Sequence, residues 1–212
     1  MSNSLKITVY DYETSNSFSV QRALKRIGFN STKTNNRNQV KKSHIVFLPG
    51  VGNFRSVAYR IRERGCHAVL KEKVLDNDGI IVGICVGFQL MCKSSEEKDN
   101  HSSSPPGLGL IDGSVVSNNF QNSNKKTVVG WDYVNIKKGF SFHNKYNGYY
   151  YFNHSYNCIL NKRYHSKTIW LKNGIVAGLK YGNIYGLQFH PERSGIAGLS
   201  LLHKIISDYQ HE

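Results

Sequence analysis

Two short stretches of the sequence carry residue types that could act together as a nucleophile and its base. In the first, GICVG (83–87), a cysteine stands between two glycines, after an apolar run and before FQLM. A strand, a cramped turn and a helix in this order form a nucleophile elbow, in which flanking glycines leave room for the raised side chain. We expect Cys85 to attack a substrate carbonyl, with the backbone N–H of Val86 donating to the oxyanion. The alternative for this motif alone is a small buried cysteine beside a tight turn.

The second stretch could supply the base. His190 follows the apolar, strand-like run YGLQF and precedes Pro191 and Glu192. Such folds build their sites at the carboxyl ends of the strands of an α/β sheet. His190 can therefore take the proton of the Cys85 thiol, while Glu192 fixes its tautomer. The alternative is a histidine at a strand end that is merely capped by its neighbour.

A glycine-rich turn follows another strand-like run. The segment LPGVGNF (48–54) places Pro-Gly-x-Gly directly after apolar residues. Glycine lets peptide N–H groups approach a ligand closely. We expect an amide of Val51 or Gly52 to complete an oxyanion hole with that of Val86. When the segment is taken alone, a tight turn between a strand and a helix explains it more simply.

The elements that must position these residues alternate between strand and helix in the first half of the chain. Apolar runs at 5–10, 44–49 and 79–84 are typical of short buried strands. Helical patterns lie between and after these runs, and the one at 54–75 breaks near Gly65. This alternation favours an α/β fold with a mostly parallel sheet and helices on both faces.

The second half of the chain has a different pattern. Two polar stretches, 94–104 and 117–126, indicate surface loops. Strand-like runs with short spacers follow, and a helical pattern at 198–209 comes last. These runs predict antiparallel or mixed sheet added to the α/β core. Because no internal repeat or interdomain linker is visible, we expect residues 1–212 to form one domain.

Composition narrows the class of protein. The 28 Lys and Arg residues outnumber the 14 Asp and Glu residues, giving a formal net charge of +14. Since the basic residues are scattered and form no known nucleic-acid motif, we expect no nucleic-acid partner and interpret the charge as a solvated surface or a match for an acidic protein partner. Short apolar runs and the absence of a signal segment predict a cytoplasmic protein with no membrane partner. The four cysteines include no CxxC pair, which predicts free thiols and no metal site.

Taken together, GICVGFQLM (83–91), LPGVGNF (48–54) and YGLQFHPERS (185–194) resemble the motifs of the class I, or triad, glutamine amidotransferases. Within this family, VGWDYV (129–134) and YYFNHSY (150–156) most resemble the glutaminase subunits of imidazole glycerol phosphate synthases. The resemblance extends over nearly the whole chain. It implies a flavodoxin-like α/β fold with an added antiparallel or mixed sheet segment.

The resemblance also implies roles for individual residues. Cys85 would attack the side-chain amide of L-glutamine, and His190 would act as base and then as acid toward the leaving ammonia, oriented by Glu192. The γ-glutamyl thioester would then be hydrolysed to glutamate. Amides of Val86 and of the loop at 49–52, which would need to rearrange, would hold the oxyanion. The positions that match the family's glutamine contacts are Gly52, Gln89, Glu97, Ser155 and Tyr156.

A partner is implied as well. The ammonia would pass within a heterodimer to a (β/α)8 cyclase, or synthase, subunit. That subunit would join it to a phosphorylated ribulosyl-aminoimidazole intermediate and release imidazole glycerol phosphate. No metal or organic cofactor is implied for the chain itself.

The sequence departs from the family pattern in places that leave the three predicted triad residues intact. The loop DYETSN (11–16) stands where the family reads DYGxGN, and Arg193 stands where lysine is usual. In TVVGW (127–131) the proline, histidine and methionine that usually precede GW are absent. These departures leave the ammonia acceptor open. A related amidotransferase that supplies ammonia for the amidation of a bacterial surface sugar is the nearest alternative. A non-catalytic binding module for anionic partners is a further one.

Overall fold

Strands and helices alternate at the start of the chain, and strands predominate in the second half. The computed structural model describes residues 5–13, 17–50, 52–97, 105–118, 127–136, 140, 142 and 144–211. The strands are β1 (Ile7–Tyr10), β2 (Thr32–Thr34), β3 (Ile45–Leu48), β4 (Ile80–Ile84), β5 (Ser94–Ser95), β6 (Gly113–Ser117), β7 (Val128–Val134), β8 (Gly148–His154), β9 (Tyr156–Leu160), β10 (Thr168–Trp170), β11 (Val176–Tyr181) and β12 (Ile184–Leu187). The α-helices are α1 (Ser17–Arg26), α2 (Arg37–Lys41), α3 (Phe54–Glu63), α4 (Cys66–Leu75), α5 (Val86–Leu90) and α6 (Gly195–His211).

A seven-stranded sheet forms the centre of the fold, in the order β10-β11-β12-β4-β3-β1-β2. From β12 to β2 all neighbours are parallel, whereas β10 and β11 add an antiparallel edge. The strands β1, β3 and β4 consist of buried residues throughout. Continuous apolar runs of this kind are expected where both faces of a parallel sheet are covered.

The helices cover the sheet in two groups. Helix α1 packs against α6, while α4 packs against α2 and α3, and α3 also packs against α5. The buried side of α1 carries Val20, Ala23 and Leu24, the helical spacing visible in the sequence. Gly65, with φ of +66°, separates α3 from α4, so the predicted break is confirmed. No helix in the described ranges has the length and apolar character needed to cross a membrane.

The carboxyl ends of three neighbouring strands bring the sequence motifs to one edge of the sheet. Strand β4 lies between β3 and β12, and all three run in the same direction. In the register of these strands Leu48 pairs with Gly83, and Ile84 pairs with Leu187. Three segments therefore leave the sheet side by side: the glycine-rich loop after Leu48, the turn at Cys85 (the cysteine turn) and the turn at His190 (the histidine turn).

Strands β5 to β9 form two smaller sheets. Strand β6 pairs with β5 in parallel and with β9 in the antiparallel sense, and β7 and β8 form an antiparallel hairpin. The added mixed sheet is thus confirmed. The prediction of a loop throughout 94–104 was wrong at its start, because Ser94 and Ser95 form β5 against Ser114 and Val115. Short polar strands of this kind are stabilised by their neighbours in the sheet and leave little pattern in the sequence.

Candidate active site

Cys85 stands on a sharp turn between β4 and α5. Its backbone has φ of +50° and ψ of −112°, a conformation that costs a non-glycine residue about 1–3 kcal/mol. The turn is closely packed, since a Cβ on Gly83 would lie 2.7 Å from the Gly87 carbonyl oxygen and one on Gly87 would lie 1.9 Å from that of Leu48. Only glycine fits at these two positions. The side chain of Cys85 is thereby raised above the edge of the sheet.

His190 and Glu192 form a buried pair next to this turn. The Nδ1 atom of His190 lies 2.9 Å from Oε1 of Glu192, and their side chains are only 8% and 4% exposed. A 3-10 turn, Pro191–Arg193, connects them. The backbone of His190 is fixed by donation of its N–H to the Tyr151 carbonyl at 2.8 Å and by the hydroxyl of Ser194, which donates to the His190 carbonyl at 2.6 Å. The ring therefore has a fixed position.

The proton affinity of His190 reflects its two neighbours. Burial by itself would lower the pKa of this ring, but side-chain hydrogen bonds with Cys85 and Glu192 outweigh burial and raise the pKa to about 10. The ring thus holds a proton readily between the sulfur and the carboxylate. A thiol, an imidazole and a carboxylate in this order can perform nucleophilic acyl chemistry.

A second histidine nearby has the opposite property. Burial lowers the pKa of His154 to about 4, although a hydrogen bond to the Tyr156 carbonyl opposes this effect. Since a carbonyl oxygen can only accept, Nδ1 of His154 must donate in this 2.8 Å contact. His154 is therefore a neutral side chain at the wall of the site and not a competing base. The sequence analysis did not single it out, although it lies within the YYFNHSY motif.

A cavity of about 210 Å³ opens beside the sulfur. The structure brings all five residues predicted to contact glutamine to this cavity, together with the cysteine turn. The cavity is lined by Gly52, Cys85, Val86, Gln89, Glu97, Asn153, His154, Ser155 and Tyr156. Residues from four separate segments of the chain thus converge on one small, partly polar space.

Polar contacts hold the cavity wall in shape. Oε2 of Glu97 accepts a 2.7 Å hydrogen bond from the backbone N–H of Phe54, the first residue of α3. Burial raises the pKa of Glu97, and this hydrogen bond opposes the rise. The hydroxyls of Ser155 and Thr127 lie 2.8 Å apart. The wall therefore offers a carboxylate to a cationic group and hydroxyl and backbone groups to a polar one.

The loop between β3 and α3 reaches the same cavity. Gly52 lines it with φ of +105°, a conformation that favours glycine. Gly50 lies so close to the cysteine turn that a Cβ there would be 2.7 Å from the backbone nitrogen of Val86. Val51, the other predicted oxyanion residue of this loop, lies outside the described residues.

Gln188 is a site residue that the sequence analysis missed. It is fully buried, and its Nε2 lies 3.6 Å from Sγ of Cys85. In the sequence it is part of the motif YGLQFHPERS, but that motif does not by itself indicate a contact with a residue 103 positions earlier. Within the described part of the chain, no cluster of His, Cys, Asp and Glu could hold a metal ion.

One face of the β7–β8 hairpin is apolar and exposed beside the site. Val129, Trp131, Tyr133 and Tyr149 form this surface, called here the hairpin face. Tyr151 connects it to the site, because its ring lies 5.9 Å from that of Trp131 and 6.3 Å from that of His190. The guanidinium of Arg193 lies 5.8 Å from the centre of the Tyr151 ring. Exposed aromatic groups at this density are typical of a protein-binding surface.

Known proteins resemble the chain over most of its length. The model of the family glutamine amidotransferase class-I matches residues 8–205. The curated relative imidazole glycerol phosphate synthase subunit HisH 2 of Methanococcus maripaludis is 34% identical over 203 residues, which cover 94% of this chain and 98% of the relative. The subunit HisH of Carboxydothermus hydrogenoformans is 35% identical over 198 residues, or 92% and 95% of the two chains.

A solved structure resembles the fold as a whole. PurLQS from Thermotoga maritima matches it with a TM-score of 0.74 at 19% identity, covering 96% of this chain and 98% of that one. The predicted flavodoxin-like α/β architecture is thereby confirmed.

Proposed function

The chain belongs to the class I glutamine amidotransferase family, and we propose that it is the glutaminase subunit that supplies ammonia to imidazole glycerol phosphate synthase. Relatives named as subunits of that synthase match it over more than nine-tenths of its length. The observation that carries the proposal is the cavity in which Cys85 meets the five residues that match the family's glutamine contacts.

In the proposed reaction His190 takes the proton of the Cys85 thiol, and the resulting thiolate attacks the side-chain carbonyl carbon of glutamine. The tetrahedral oxyanion accepts hydrogen bonds from the backbone N–H of Val86 and from the 49–52 loop through Val51 or Gly52. The protonated ring of His190 gives its proton to the leaving nitrogen, so ammonia departs and a γ-glutamyl thioester remains. His190 then takes a proton from water, which attacks the thioester and releases glutamate.

Glu192 keeps the ring in the orientation that this sequence requires. Its carboxylate accepts the Nδ1 proton of His190 at 2.9 Å, which leaves Nε2 for the sulfur and the leaving group. The high pKa of His190 favours the transfer of the thiol proton to the ring, which leaves a thiolate beside an imidazolium for the attack. The negative charge of Glu192 also stabilises the imidazolium whenever it forms.

The substrate is held by its amino-acid end. Glu97 provides a negative charge for the α-ammonium group, and Gln89, Ser155, Tyr156 and Gly52 provide polar groups from the other walls. Placing the α-ammonium at Glu97 leaves the amide end of glutamine toward Cys85. The recognition of an ammonium by a partly buried carboxylate contributes both affinity and orientation.

We propose a (β/α)8 cyclase subunit as the partner in a heterodimer. The hairpin face and the net charge of +14 support an acidic partner with an apolar contact region, docked beside His190. Ammonia made in the cavity would pass into that partner. As a component of histidine biosynthesis the protein would act in the cytoplasm, with residues 1–212 forming one domain.

Complementation tests the assignment. We expect the gene for this chain, co-expressed with a matching cyclase gene, to restore growth without histidine to a strain that lacks its own glutaminase subunit. The Cys85→Ala variant is the matched control and is expected not to restore growth on low ammonia. Soluble parent protein that hydrolyses glutamine but does not restore growth would instead favour a surface sugar as the acceptor of the ammonia.

A further inference from the structure

We propose that Gln188 is a further catalytic residue, whose side-chain N–H donates to the sulfur of Cys85 and favours the thiolate. The inference rests on the proposed role of Cys85 as the nucleophile of a glutaminase. Gln188 lies two residues before His190, between the end of β12 and the histidine turn. The sulfur of Cys85 therefore has two hydrogen-bonding neighbours, Gln188 and His190, which lie two residues apart in the chain.

The contacts form a short series from the cavity wall to the sulfur. Nε2 of Gln89 lies 2.8 Å from the carbonyl oxygen of Tyr156 and 3.2 Å from Oε1 of Gln188. Nε2 of Gln188 lies 3.6 Å from Sγ of Cys85. Both carboxamides are almost fully buried, Gln89 at 2% and Gln188 at 0% exposed. Water therefore does not compete for these hydrogen bonds.

The direction of each hydrogen bond follows from chemistry. The Tyr156 carbonyl can only accept, so the amide nitrogen of Gln89 must face it. The second N–H of the same nitrogen then points to Gln188, which must present its oxygen. With its oxygen used in this way, Gln188 can present only its nitrogen to Cys85. The Tyr156 carbonyl, two side chains away, therefore determines that the group of Gln188 facing the sulfur is its N–H donor.

A donor at this position has a definite consequence for reactivity. The thiol proton of Cys85 is directed toward the Asn153 carbonyl, whose oxygen lies 3.7 Å from Sγ. When that proton moves to His190, the sulfur becomes negative and the N–H of Gln188 becomes a charge-assisted donor. Hydrogen bonds to charged groups are stronger than those to neutral groups. Gln188 therefore stabilises the thiolate more than the thiol.

The same series connects substrate binding to the nucleophile. Tyr156 is a predicted glutamine contact, and its carbonyl orients Gln89, which orients Gln188. Any displacement of Tyr156 on binding of glutamine would pass through only two rigid planar groups before reaching the sulfur. Gln188 is thus placed between the substrate cavity and the sulfur of Cys85.

Alkylation of Cys85 by iodoacetamide tests the inference without substrate or partner. The rate is measured by mass spectrometry from about pH 5 to about pH 10, where thiols pass to thiolates. In Gln188→Leu and Gln188→Met, which lack the donor, we expect the rate to reach half its maximum about one pH unit higher than in the parent protein. In Gln188→Glu we expect a larger shift in the same direction, because a negative charge then lies beside the sulfur.

Glutamine kinetics provide the second readout. We expect kcat of Gln188→Leu to fall about tenfold, with KM changed by less than about twofold, because the lost interaction is with the nucleophile. Asn183→Ala is the matched control. Asn183 is also a buried carboxamide, but it donates to Lys73 and Gly79 at the opposite end of β12. This variant should keep the parent's alkylation profile and its kcat.

The outcomes separate this inference from the proposed function. Circular dichroism and thermal melting first establish which variants fold, and Gln188→Met serves if Gln188→Leu does not. A folded variant without the donor that keeps the parent's alkylation profile and kcat overturns the role of Gln188. If the parent hydrolyses no glutamine but its alkylation profile still depends on Gln188, the proposed function fails and the contact with the sulfur stands.

Discussion

The backbone N–H of Cys85 donates a 2.7 Å hydrogen bond to the carbonyl of Leu187, three residues before His190. This bond continues the ladder between β4 and β12 past the last paired residues, Ile84 and Leu187. The strained turn of Cys85 is therefore fixed to the strand that leads to His190. Their separation is set by the rigid part of the sheet and does not depend on a loop.

Loss of the sulfur should abolish glutamine hydrolysis. We expect Cys85→Ala to fold and to bind a cyclase partner but to release glutamate at the rate of a control without enzyme, because no thioester can form. Cys66→Ala is the matched control, since Cys66 is also a buried free thiol but lies on α4, where its sulfur contacts the Asn35 carbonyl. Glutamate release is measured by a coupled assay. Residual turnover in Cys85→Ala would mean that another group is the nucleophile.

The charge of Glu192 should support the high pKa of His190. Both Cys85 and Glu192 raise that pKa to about 10 against the effect of burial. In Glu192→Gln one of these two contributions disappears, so we expect the pKa of His190 to fall by at least about one unit. The ring is followed by NMR as the pH is raised from about 7 to about 11, a range that includes the expected pKa values of both proteins. An unchanged titration in a folded variant would show that Glu192 does not stabilise the imidazolium.

Glu97 should determine affinity more than the rate of chemistry. If its carboxylate holds the α-ammonium of glutamine, Glu97→Gln removes a charge-assisted hydrogen bond worth about 1.5–3 kcal/mol. We expect KM for glutamine to rise about 10–100-fold with a smaller change in kcat. Initial rates over a wide range of glutamine concentration measure both constants. Alkylation of Cys85 by iodoacetamide serves as the control and should be unchanged, and a loss of kcat alone would contradict the assigned role.

The edge of the sheet at which the site lies could be predicted from the sequence. Strands β3, β4 and β12 are apolar runs that each end in a distinctive motif, and parallel neighbours must present those ends together. The family resemblance added Gln89, Glu97, Ser155 and Tyr156, all of which line the cavity with Cys85.

Other parts of the site had no readable pattern. Gln188 contacts the sulfur only because β12 lies next to β4, which is a tertiary relationship. The roles of the two neighbouring histidines also depend on tertiary contacts, since a carboxylate and a sulfur raise the pKa of His190 while burial lowers that of His154. Strand β5 is two serines long, too short for any alternation to show.

The neutral His154 should make stability depend on pH. Burial lowers its pKa to about 4 in the folded state, below its ordinary value of 6.5. The unfolded chain therefore binds this proton more readily, so the contribution of His154 is fully present above pH 6.5 and is lost as the pH falls through 4. We expect the difference in unfolding free energy between the parent and His154→Gln to shrink by about 2–3 kcal/mol between about pH 7.5 and about pH 4.5. Urea denaturation at each pH measures the two unfolding free energies. A difference between them that stays constant with pH would contradict the lowered pKa of His154.

Trp131 should contribute strongly to partner binding. It stands at the centre of the hairpin face, 56% exposed, between Val129 and Tyr133 on the same strand. Tryptophan at the centre of an apolar patch is a frequent hot spot, and its truncation commonly costs 2 kcal/mol or more, or about 30-fold in affinity. We therefore expect Trp131→Ala to weaken association with the proposed cyclase subunit by roughly that factor, as measured by titration calorimetry.

A second tryptophan separates this effect from a general loss of aromatic surface. Trp170 is 42% exposed, but it lies on β10, the edge strand of the central sheet, and not on the β7–β8 hairpin. Trp170→Ala should leave the affinity for the partner unchanged. If both variants bind the partner as tightly as the parent protein does, the hairpin face does not contact the partner. If Trp131→Ala alone loses affinity while its unstimulated glutamine hydrolysis is retained, the partner contact lies beside the site without forming part of it.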